Sequence, residues 1–350
     1  MIDLQFEIGP MVDFLVGLLN TPSPTGYHSE AAAYVESRFA ALAIPGLSLG
    51  RTPKGALVIT WPGESDATPR GLTAHLDTLG LMVKEIKSSG RLKLTMIGGY
   101  MWNAVEFEGV TIQTHDGKRY RGTVVPVKAS VHVHRNASEE PRNHDTMEVR
   151  IDARVNSADD TRQLGIGVGD FVFVDPRVEV TDTGFIRSRH LDDKASVAAI
   201  YGAFRALHAA GLRPAQTVTT VIANYEEVGH GASAGFPDDL HELVAVDMAA
   251  VGEGQNSDEF SVGICVKDGG GPYHADLTRK LRTLAEEAGI PYRPDIYPYY
   301  GSDGEAYWRA GGAAQVALIG PGVDASHAYE RTHQDSLVHT AHLIARFLLS

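Results

Sequence analysis

The sequence is poor in cysteine: among 350 residues there is one, Cys265, so no disulfide can form within the chain. Such a chain is typical of a reducing compartment. The first residues include Asp3 and Glu7 where a secretory signal would carry Lys or Arg. From these two features we expect a cytoplasmic protein.

Long apolar runs and an excess of basic residues are also missing. No stretch reaches the roughly 18 consecutive apolar residues that a membrane-spanning helix needs. Lys and Arg number 31 against 44 Asp and Glu, which gives a formal net charge of −13. Because this charge repels nucleic acids and anionic membrane surfaces, neither is an expected partner. The 43% of hydrophobic residues suffices for large cores.

The hydrophobic pattern changes character twice along the chain. Helix-like and buried-strand segments alternate at both ends, whereas short alternating strands separated by turn residues fill the middle. In that middle part, Asp116-Gly117 predicts a hairpin with a type I′ turn. The economical interpretation is an α/β domain formed by residues 1–82 and 188–350, interrupted by a β-rich insertion at 83–187.

Acids and histidines follow the predicted strands of the α/β part again and again. In an open parallel sheet, the carboxyl ends of the strands border one crevice where ligands bind. The polar residues at these ends are His75 and Asp77, Glu226 and Glu227, Asp247, and those of segment 324–333. Asp192 and Asp193 precede a predicted helix, whose positive N-terminal end favours carboxylates. We expect these groups to converge in one cleft.

Packing several carboxylates together raises their pKa values through mutual repulsion and burial. One or two divalent cations would remove that repulsion, and mixed imidazole and carboxylate ligands suit zinc, cobalt or manganese. Within His75-Leu76-Asp77, the turn after the strand can bring Asp77 behind the imidazole, where it would accept the second ring N–H. Each feature alone has an ordinary explanation as a turn, a cap or a solvated face, but their joint placement at strand ends does not.

The ordered motifs AHLDTLG, LDDKAS, NYEEVGHGA, VAVDMA and DASHAYE resemble those of the M42 metallo-aminopeptidases, which include glutamyl and tetrahedral aminopeptidases. The resemblance covers nearly the whole chain. The segments HLDTLGLMVKEIKSSGRL and KASVHVH are most similar to the subgroup encoded beside genes for the osmoprotectant N-acetylglutaminylglutamine amide. The fold implied is a central, mostly parallel sheet flanked by helices, as in zinc peptidases, interrupted by a barrel-like or PDZ-like insertion.

The resemblance also implies a metal site. His75 and Asp247 would bind one metal, Glu227 and His327 the other, and Asp192 would bridge both. Each subunit would therefore hold two divalent ions, with zinc the first choice and cobalt or manganese the alternatives. The peptide bond that follows the bridging residue would be cis.

The activity implied is removal of N-terminal residues from short peptides by a metal-bound hydroxide, with Glu226 as general base and Asp77 as the partner of His75. Another dinuclear-metal reading is an amidase or deacylase that acts on an N-acylated dipeptide or an osmolyte-related amide. A reading of another class is an inactive metal-binding or assembly protein. The substrate is accordingly a short peptide or a small amide.

Two further expectations concern the last ligand and the assembly. The motif DASHAYERTH leaves His333 as a second candidate for the terminal ligand, although His327 lies closer to the preceding strand and is followed by Glu330 as in the family. Asp303, in GSDGEA, is a candidate for the cleft. The strands of the insertion offer edges that a second copy could cover, so a homodimer is the smallest expected assembly. The resemblance extends this expectation to a dodecamer.

Overall fold

The structure, a computed structural model, describes residues 4–350. Residues 1–3, the start of the predicted α/β range, lie outside the described residues. The described chain clusters into two compact units. One runs up to Asp77 and resumes at Arg177, and the other is Thr78–Pro176. The domain bounds expected from the sequence, 1–82 and 188–350 around an insertion at 83–187, stay a prediction.

The larger unit is built on a mixed sheet. Its strands are β1 (Ser48–Arg51), β2 (Leu57–Trp61), β3 (Ser65–His75), β10 (Glu179–Val180), β11 (Phe185–Ser188), β12 (Gln216–Ala223), β13 (Glu242–Val246), β14 (Ala249–Val251), β15 (Val262–Lys267), β16 (Tyr292–Ile296), β17 (Gln315–Asp324) and β18 (Glu330–His333). The main path is β1-β2-β12-β3-β13-β17-β18-β11-β10. Its centre, β12-β3-β13-β17, is parallel, and antiparallel strands flank it. The expected zinc-peptidase-like sheet with a parallel centre is confirmed.

Helices cover this sheet. They are α1 (Ile8–Leu19), α2 (Ser29–Ala40), α4 (Leu191–Ala209), α5 (Ala275–Ala288), α6 (Asp303–Arg309) and α7 (Gln334–Leu349). Along α4, Val197, Ile200, Phe204 and Leu207 are fully buried, as their helical spacing predicts. Within residues 4–350, no helix combines the length and apolar content needed to cross a bilayer.

A buried lysine fixes the start of α4 against the end of α1. Lys194 is fully buried, and its Nζ donates hydrogen bonds to the carbonyl oxygens of Leu18 and Thr21 at 3.0 and 2.7 Å. These bonds satisfy the buried ammonium group and fasten the start of α4 to the carbonyl groups at and just beyond the end of α1. Burial lowers the pKa of Lys194 to about 7.

The smaller unit is a closed barrel. Its strands are β4 (Gly80–Ile86), β5 (Leu92–Ile97), β6 (Gly109–Gln113), β7 (Arg119–Pro126), β8 (Met147–Ile151) and β9 (Phe171–Val174), and it also contains α3 (Ala158–Gln163). They close in the order β4-β5-β8-β7-β6-β9 around an apolar core that includes Leu81, Val110 and Val149. The barrel-like insertion is confirmed. Because closure pairs every barrel strand on both sides, the barrel offers its faces rather than free strand edges to a second copy, and assembly through this unit stays a prediction.

The hairpin predicted at Asp116-Gly117 is present, but its turn differs from the prediction. The last paired residues are Gln113 and Arg119, so five residues connect β6 to β7. Gly117 has a φ of +87°, whereas Asp116 is outside the positive-φ region, and a type I′ turn needs both. The Thr114 side chain instead accepts the Lys118 N–H at 2.9 Å and organises a longer loop.

Candidate metal centre

The carboxyl ends of the parallel strands carry most of the predicted site residues. His75 is the last residue of β3, and Asp247 directly follows β13. Glu226 and Glu227 lie in a 3₁₀ turn, Glu226–Val228, shortly after β12. Since β12, β3 and β13 are neighbours and run parallel, these side chains reach the same edge of the sheet.

The two remaining predicted ligands come from other elements of the same unit. Asp192 lies in the first turn of α4, and its peptide bond to Asp193 is cis, as the resemblance implies. His327 lies in the turn between β17 and β18 with a φ of +65°, a conformation that residues with a Cβ rarely adopt. Both therefore point into the site from irregular backbone.

His75 is the centre of the first group of donors. Its Nε2 lies 3.1 Å from Oδ1 of Asp192 and 4.0 Å from Oδ1 of Asp247. One donor atom from each of these three buried residues lies within 4.8 Å of the others, a grouping that could hold a metal ion. Oε2 of Glu226 is 3.6 Å from the same imidazole nitrogen.

His327 is the centre of the second group. Its Nε2 lies 3.4 Å from Oδ2 of Asp192 and 3.5 Å from Oε2 of Glu227. The two oxygens of the Asp192 carboxylate thus face two different imidazoles. The Ser326 hydroxyl donates to the same Oδ2 at 3.1 Å. One aspartate therefore lies between the two groups.

These residues border an open cavity of about 260 Å³. Asp192, Glu226, Glu227, Asp247 and His327 line it, together with Tyr299 and Tyr300. His75 is nearly inaccessible, at 1% exposure, whereas the side chain of His327 is 38% exposed. The cleft is therefore closed on the His75 side and open on the His327 side.

Asp77 contacts His75, but not through the predicted atom. Nδ1 of His75 donates to the main-chain carbonyl of Asp77 at 2.9 Å, while the Asp77 carboxylate is 3.7 Å away. That carboxylate instead accepts the N–H groups of Glu226 and Glu227 at 3.1 and 3.3 Å and the Thr25 hydroxyl at 2.6 Å. The prediction that the Asp77 side chain accepts the ring N–H is thus wrong, because the backbone turn brings the carbonyl closer to the ring.

The Asp77 carbonyl still fixes the chemistry of the ring. A carbonyl only accepts hydrogen bonds, so Nδ1 of His75 carries a proton and, in the neutral ring, Nε2 keeps its lone pair toward the cleft. The Asp77 carboxylate meanwhile holds the backbone of both glutamates. Asp77 consequently positions three side chains of the site through two different groups.

Burial dominates the electrostatics of the acids. It raises the pKa values of Glu226 and Glu227 well above their usual range, and that of Asp247 to about 7. Burial also acts on Asp192, but hydrogen bonds to His327 and His75 outweigh it and lower the pKa. Burial opposes protonation of His75, yet Glu226 and Asp192 raise its pKa well above the ordinary value. The positive charge beside these acids comes from the two imidazoles, and an imidazole carries a charge only when it is protonated.

The burial and the chemical type of the donor atoms are both suited to divalent cations. Buried carboxylates are stable when they are paired or when they coordinate metals. Here the acids face imidazole nitrogens: His75 lies beside Asp192, Glu226 and Asp247, and His327 lies beside Asp192 and Glu227. Imidazole and carboxylate donors are the ligands of zinc, cobalt and manganese.

Two buried acids, for which the sequence indicates no specific role in the site, hold the ligands in place. The Glu330 carboxylate accepts the N–H of Asp192 at 3.1 Å and that of His327 at 3.0 Å. Burial raises the pKa of Glu330 to about 8. Oδ2 of Asp193 accepts the His75 N–H at 3.2 Å. The spacing of Glu330 from His327 was a usable signal, but the bond to Asp192 spans the sequence and leaves no local pattern.

His333 and Asp303 have structural roles outside the donor groups. Nδ1 of His333 accepts the Asp335 N–H at 3.1 Å and caps α7, and Nε2 lies 3.0 Å from the Thr183 carbonyl, so both ring nitrogens are engaged. Asp303 is buried, accepting the Thr73 hydroxyl at 2.9 Å and the Ala232 N–H at 2.8 Å. It supports the loop after the glutamate pair from behind.

A crevice at the carboxyl edge of a parallel sheet that gathers buried carboxylates around two imidazoles defines the class: a metal-dependent α/β hydrolase. Residues 55–343 match the sequence profile of the family described as "M42 glutamyl aminopeptidase". The chain is 48% identical over 339 residues to YhfE, a predicted aminopeptidase of Bacillus subtilis (strain 168), with 97% of each chain covered. This chain belongs to the M42 peptidase family, and it is a peptide hydrolase.

Solved structures share the fold at lower sequence identity. A TET aminopeptidase from the marine sediment archaeon Thaumarchaeota archaeon SCGC AB-539-E09 superimposes with a TM-score of 0.86 at 16% identity, covering 97% of this chain and 96% of that one. The Pyrococcus horikoshii TET1 peptidase, described as able to assemble into a tetrahedron or a large octahedral shell, gives 0.82 at 21% identity, covering 97% and 99%. These similarities confirm the fold of a barrel-bearing peptidase.

Proposed function

We propose that this chain is a dinuclear-metal aminopeptidase that removes N-terminal residues from short peptides. The observation that carries the proposal is the Asp192 carboxylate, whose Oδ1 faces His75 and whose Oδ2 faces His327. Two cations a few ångströms apart can share a bridging ligand, and a carboxylate with its oxygens directed to two imidazoles supports that role.

The first cation would be held by His75, Asp247 and Asp192, and the second by Glu227, His327 and Asp192. His327 is preferred to His333 as the last ligand because both nitrogens of His333 are engaged with Thr183 and Asp335. Zinc is the first choice and cobalt or manganese the alternatives. When bound, such cations polarise a carbonyl and make a water molecule more acidic.

Glu226 is the general base in this proposal. It lines the cleft with its side chain 16% exposed, next to the first donor group. Its carboxylate would take a proton from the attacking water and give it to the nitrogen of the leaving amine. Asp77 acts through others: its carbonyl orients His75, and its carboxylate fixes the backbone of Glu226 and Glu227.

A free α-amine on the substrate would be held by the carboxylates of the cleft, and this would restrict cleavage to the first peptide bond. The test is hydrolysis of a free-amine peptide beside its N-acetylated twin by metal-reconstituted protein. We expect turnover of the free-amine peptide alone. Turnover of the acetylated twin alone would establish an amidase or deacylase instead, and turnover of neither, by protein that holds its metals, would indicate a non-catalytic metal-binding protein.

We further propose a homo-oligomer, with a dimer as the smallest unit and a dodecamer as the larger expectation, in which the insertion at 83–187 mediates contacts between copies. Support comes from structural neighbours described as dodecameric or shell-forming. A cytoplasmic location is also proposed, supported by the single, buried Cys265. Sedimentation that shows only monomers at micromolar concentration would reject the assembly.

A further inference from the structure

A second cavity, of about 350 Å³, lies next to the cleft and takes no part in the hydrolytic chemistry derived above. Glu305 and Arg309 of α6 line both cavities, so the second cavity is adjacent to the cleft. We call this second space the α6 cavity. It adjoins the cleft where a substrate side chain would need room.

Much of the wall of the α6 cavity is apolar. Tyr273 and Trp308 line it with their rings stacked, 6.1 Å between centroids, and Pro272 lies beside them. Flat rings pack well against a chain of methylene groups and can also stack on a guanidinium. Such a wall suits a long, unbranched side chain.

The polar part of the α6 cavity carries two carboxylates. Asp268 is fully buried, and its oxygens accept the Tyr273 hydroxyl and the Gly270 N–H. The side chain of Glu305 is 11% exposed, and its Oε1 is buried without a hydrogen-bond partner among residues 4–350. A buried carboxylate oxygen without a donor is unfavourable, so a ligand that brings an N–H donor is favoured there.

One guanidinium of the protein, that of Arg309, already pairs with Glu305. Arg309 reaches Oε2 of Glu305 at 3.3 Å, but its own side chain is 61% exposed, so it remains largely in solvent. Two carboxyl groups therefore lie beside one largely solvent-exposed guanidinium. Burial, a hydrogen bond with the Asp268 carboxyl and the charge of that group raise the pKa of Glu305 to about 7, so the two carboxyl groups can share a proton until a bound cation replaces it.

We propose, on the basis of the aminopeptidase function above, that the α6 cavity receives the side chain of the substrate's N-terminal residue and that Glu305 selects a cationic one, lysine or arginine. The methylene chain lies against Trp308 and Tyr273. The terminal ammonium or guanidinium donates to Glu305, with Asp268 adding negative charge behind it. Glu305 is therefore a specificity-determining residue.

The test compares two substrates that differ in one charge: a lysyl peptide and the norleucyl peptide of the same length. Wild-type kcat/KM should be about tenfold or more higher for the lysyl peptide. In Glu305→Gln, kcat/KM for the lysyl peptide should fall about 10- to 100-fold, the usual effect of losing a charged hydrogen bond. The norleucyl value should stay within about threefold, which also reports that the variant is folded. The control Glu287→Gln, on the exposed side of α5, should change neither.

Three results would overturn the proposal: a wild-type preference for norleucyl over lysyl, a preference for a glutamyl peptide, or an equal loss on both substrates in Glu305→Gln. The second would make Arg309 the selecting group. Should the metal-loaded protein hydrolyse no free-amine peptide, the aminopeptidase proposal fails separately. Calorimetric binding of lysinamide against norleucinamide then decides the α6 cavity, and equal affinity would reject it.

Discussion

Both units of the molecule bury carboxylates, but they neutralise them differently. In the barrel, Glu148 is 3% exposed and contacts the side chains of Lys87 and Arg91 at 2.5 and 2.6 Å. In the larger unit, Asp192 and Asp247 are similarly buried, and their basic neighbours are the imidazoles of His75 and His327. The barrel acid is neutralised by permanently charged side chains, whereas an imidazole is a cation only when it is protonated.

This difference separates a structural ion pair from a binding site. A buried carboxylate with two fixed cations from the same chain is complete once the chain has folded. Acids gathered around imidazoles gain their counter-charge only from protons or from ions out of solution, so their energetics depend on what the solution contains. Replacing an acid by its amide in the metal centre, and making the same kind of replacement in the barrel, tests this difference.

The largest effect is expected for Asp192→Asn. Because this carboxylate faces both imidazoles, metal content should fall toward zero and peptidase activity by about a thousandfold or more, the equivalent of several kcal/mol of transition-state stabilisation. The matched control is Asp145→Asn in the barrel, where the aspartate is paired with Lys93 and 63% exposed. Elemental analysis and peptide turnover measure both variants; full metal content in Asp192→Asn would break the contrast.

Glu226→Gln should separate catalysis from metal binding within the centre. We expect kcat to fall about 10²- to 10⁴-fold, because a glutamine cannot carry the proton. Metal content should be unchanged, whereas the neighbouring Glu227→Gln should lose one of the two ions. An unchanged kcat in Glu226→Gln would remove Glu226 from the role of base.

The two candidate terminal ligands are separated by His327→Ala and His333→Ala. The first should lower the metal content by about one ion per subunit. The second should keep the metals but lose the cap of α7, which destabilises the protein by about 1 kcal/mol. Metal analysis and urea unfolding distinguish the two, and the reverse pattern would assign the ligand to His333.

A smaller effect is expected for Glu148→Gln in the barrel. Lys87 and Arg91 are 29% and 38% exposed, so both can turn toward water when the charge is lost. The free energy of unfolding should fall by about 1 kcal/mol, with metal content and turnover unchanged. A loss of bound metal here would show that the two kinds of acid are not independent.

The last effect is a pH dependence of stability in the presence of a chelator. The pKa values of Asp247 and Glu330, at about 7 and about 8, lie above their values in an unfolded chain, so the folded state binds more protons. Stability must then fall as pH rises between about 4 and 8. The unfolding temperature should be a few degrees lower at pH 8 than at pH 6, and excess metal should abolish the difference. The same slope with metal present would contradict this origin.

The sequence is informative about the metal centre because its donors follow a rule of topology. His75, Glu227 and Asp247 could be placed together since parallel strands end at one edge, and the motif order fixed the family. Contacts at the level of atoms could not be predicted. The Asp77 carbonyl, rather than its carboxylate, contacts His75, and the residue pattern around the turn does not distinguish these two acceptors.

The barrel shows the complementary limit. Alternating strands predicted a β-rich insertion, but closure depends on the pairing of β4 with β9, far apart in sequence, and no local pattern encodes that pairing. The role of Glu330 was hidden for the same reason. Its carboxylate joins two segments that only the complete sheet brings together.

The spread of the donor residues from His75 to His327 has a consequence for biosynthesis. A growing chain on the ribosome cannot bring the two donor groups together until the turn that carries His327 has been translated. With the function proposed above, an unfinished copy that stops before this turn would lack peptidase activity toward neighbouring nascent polypeptides.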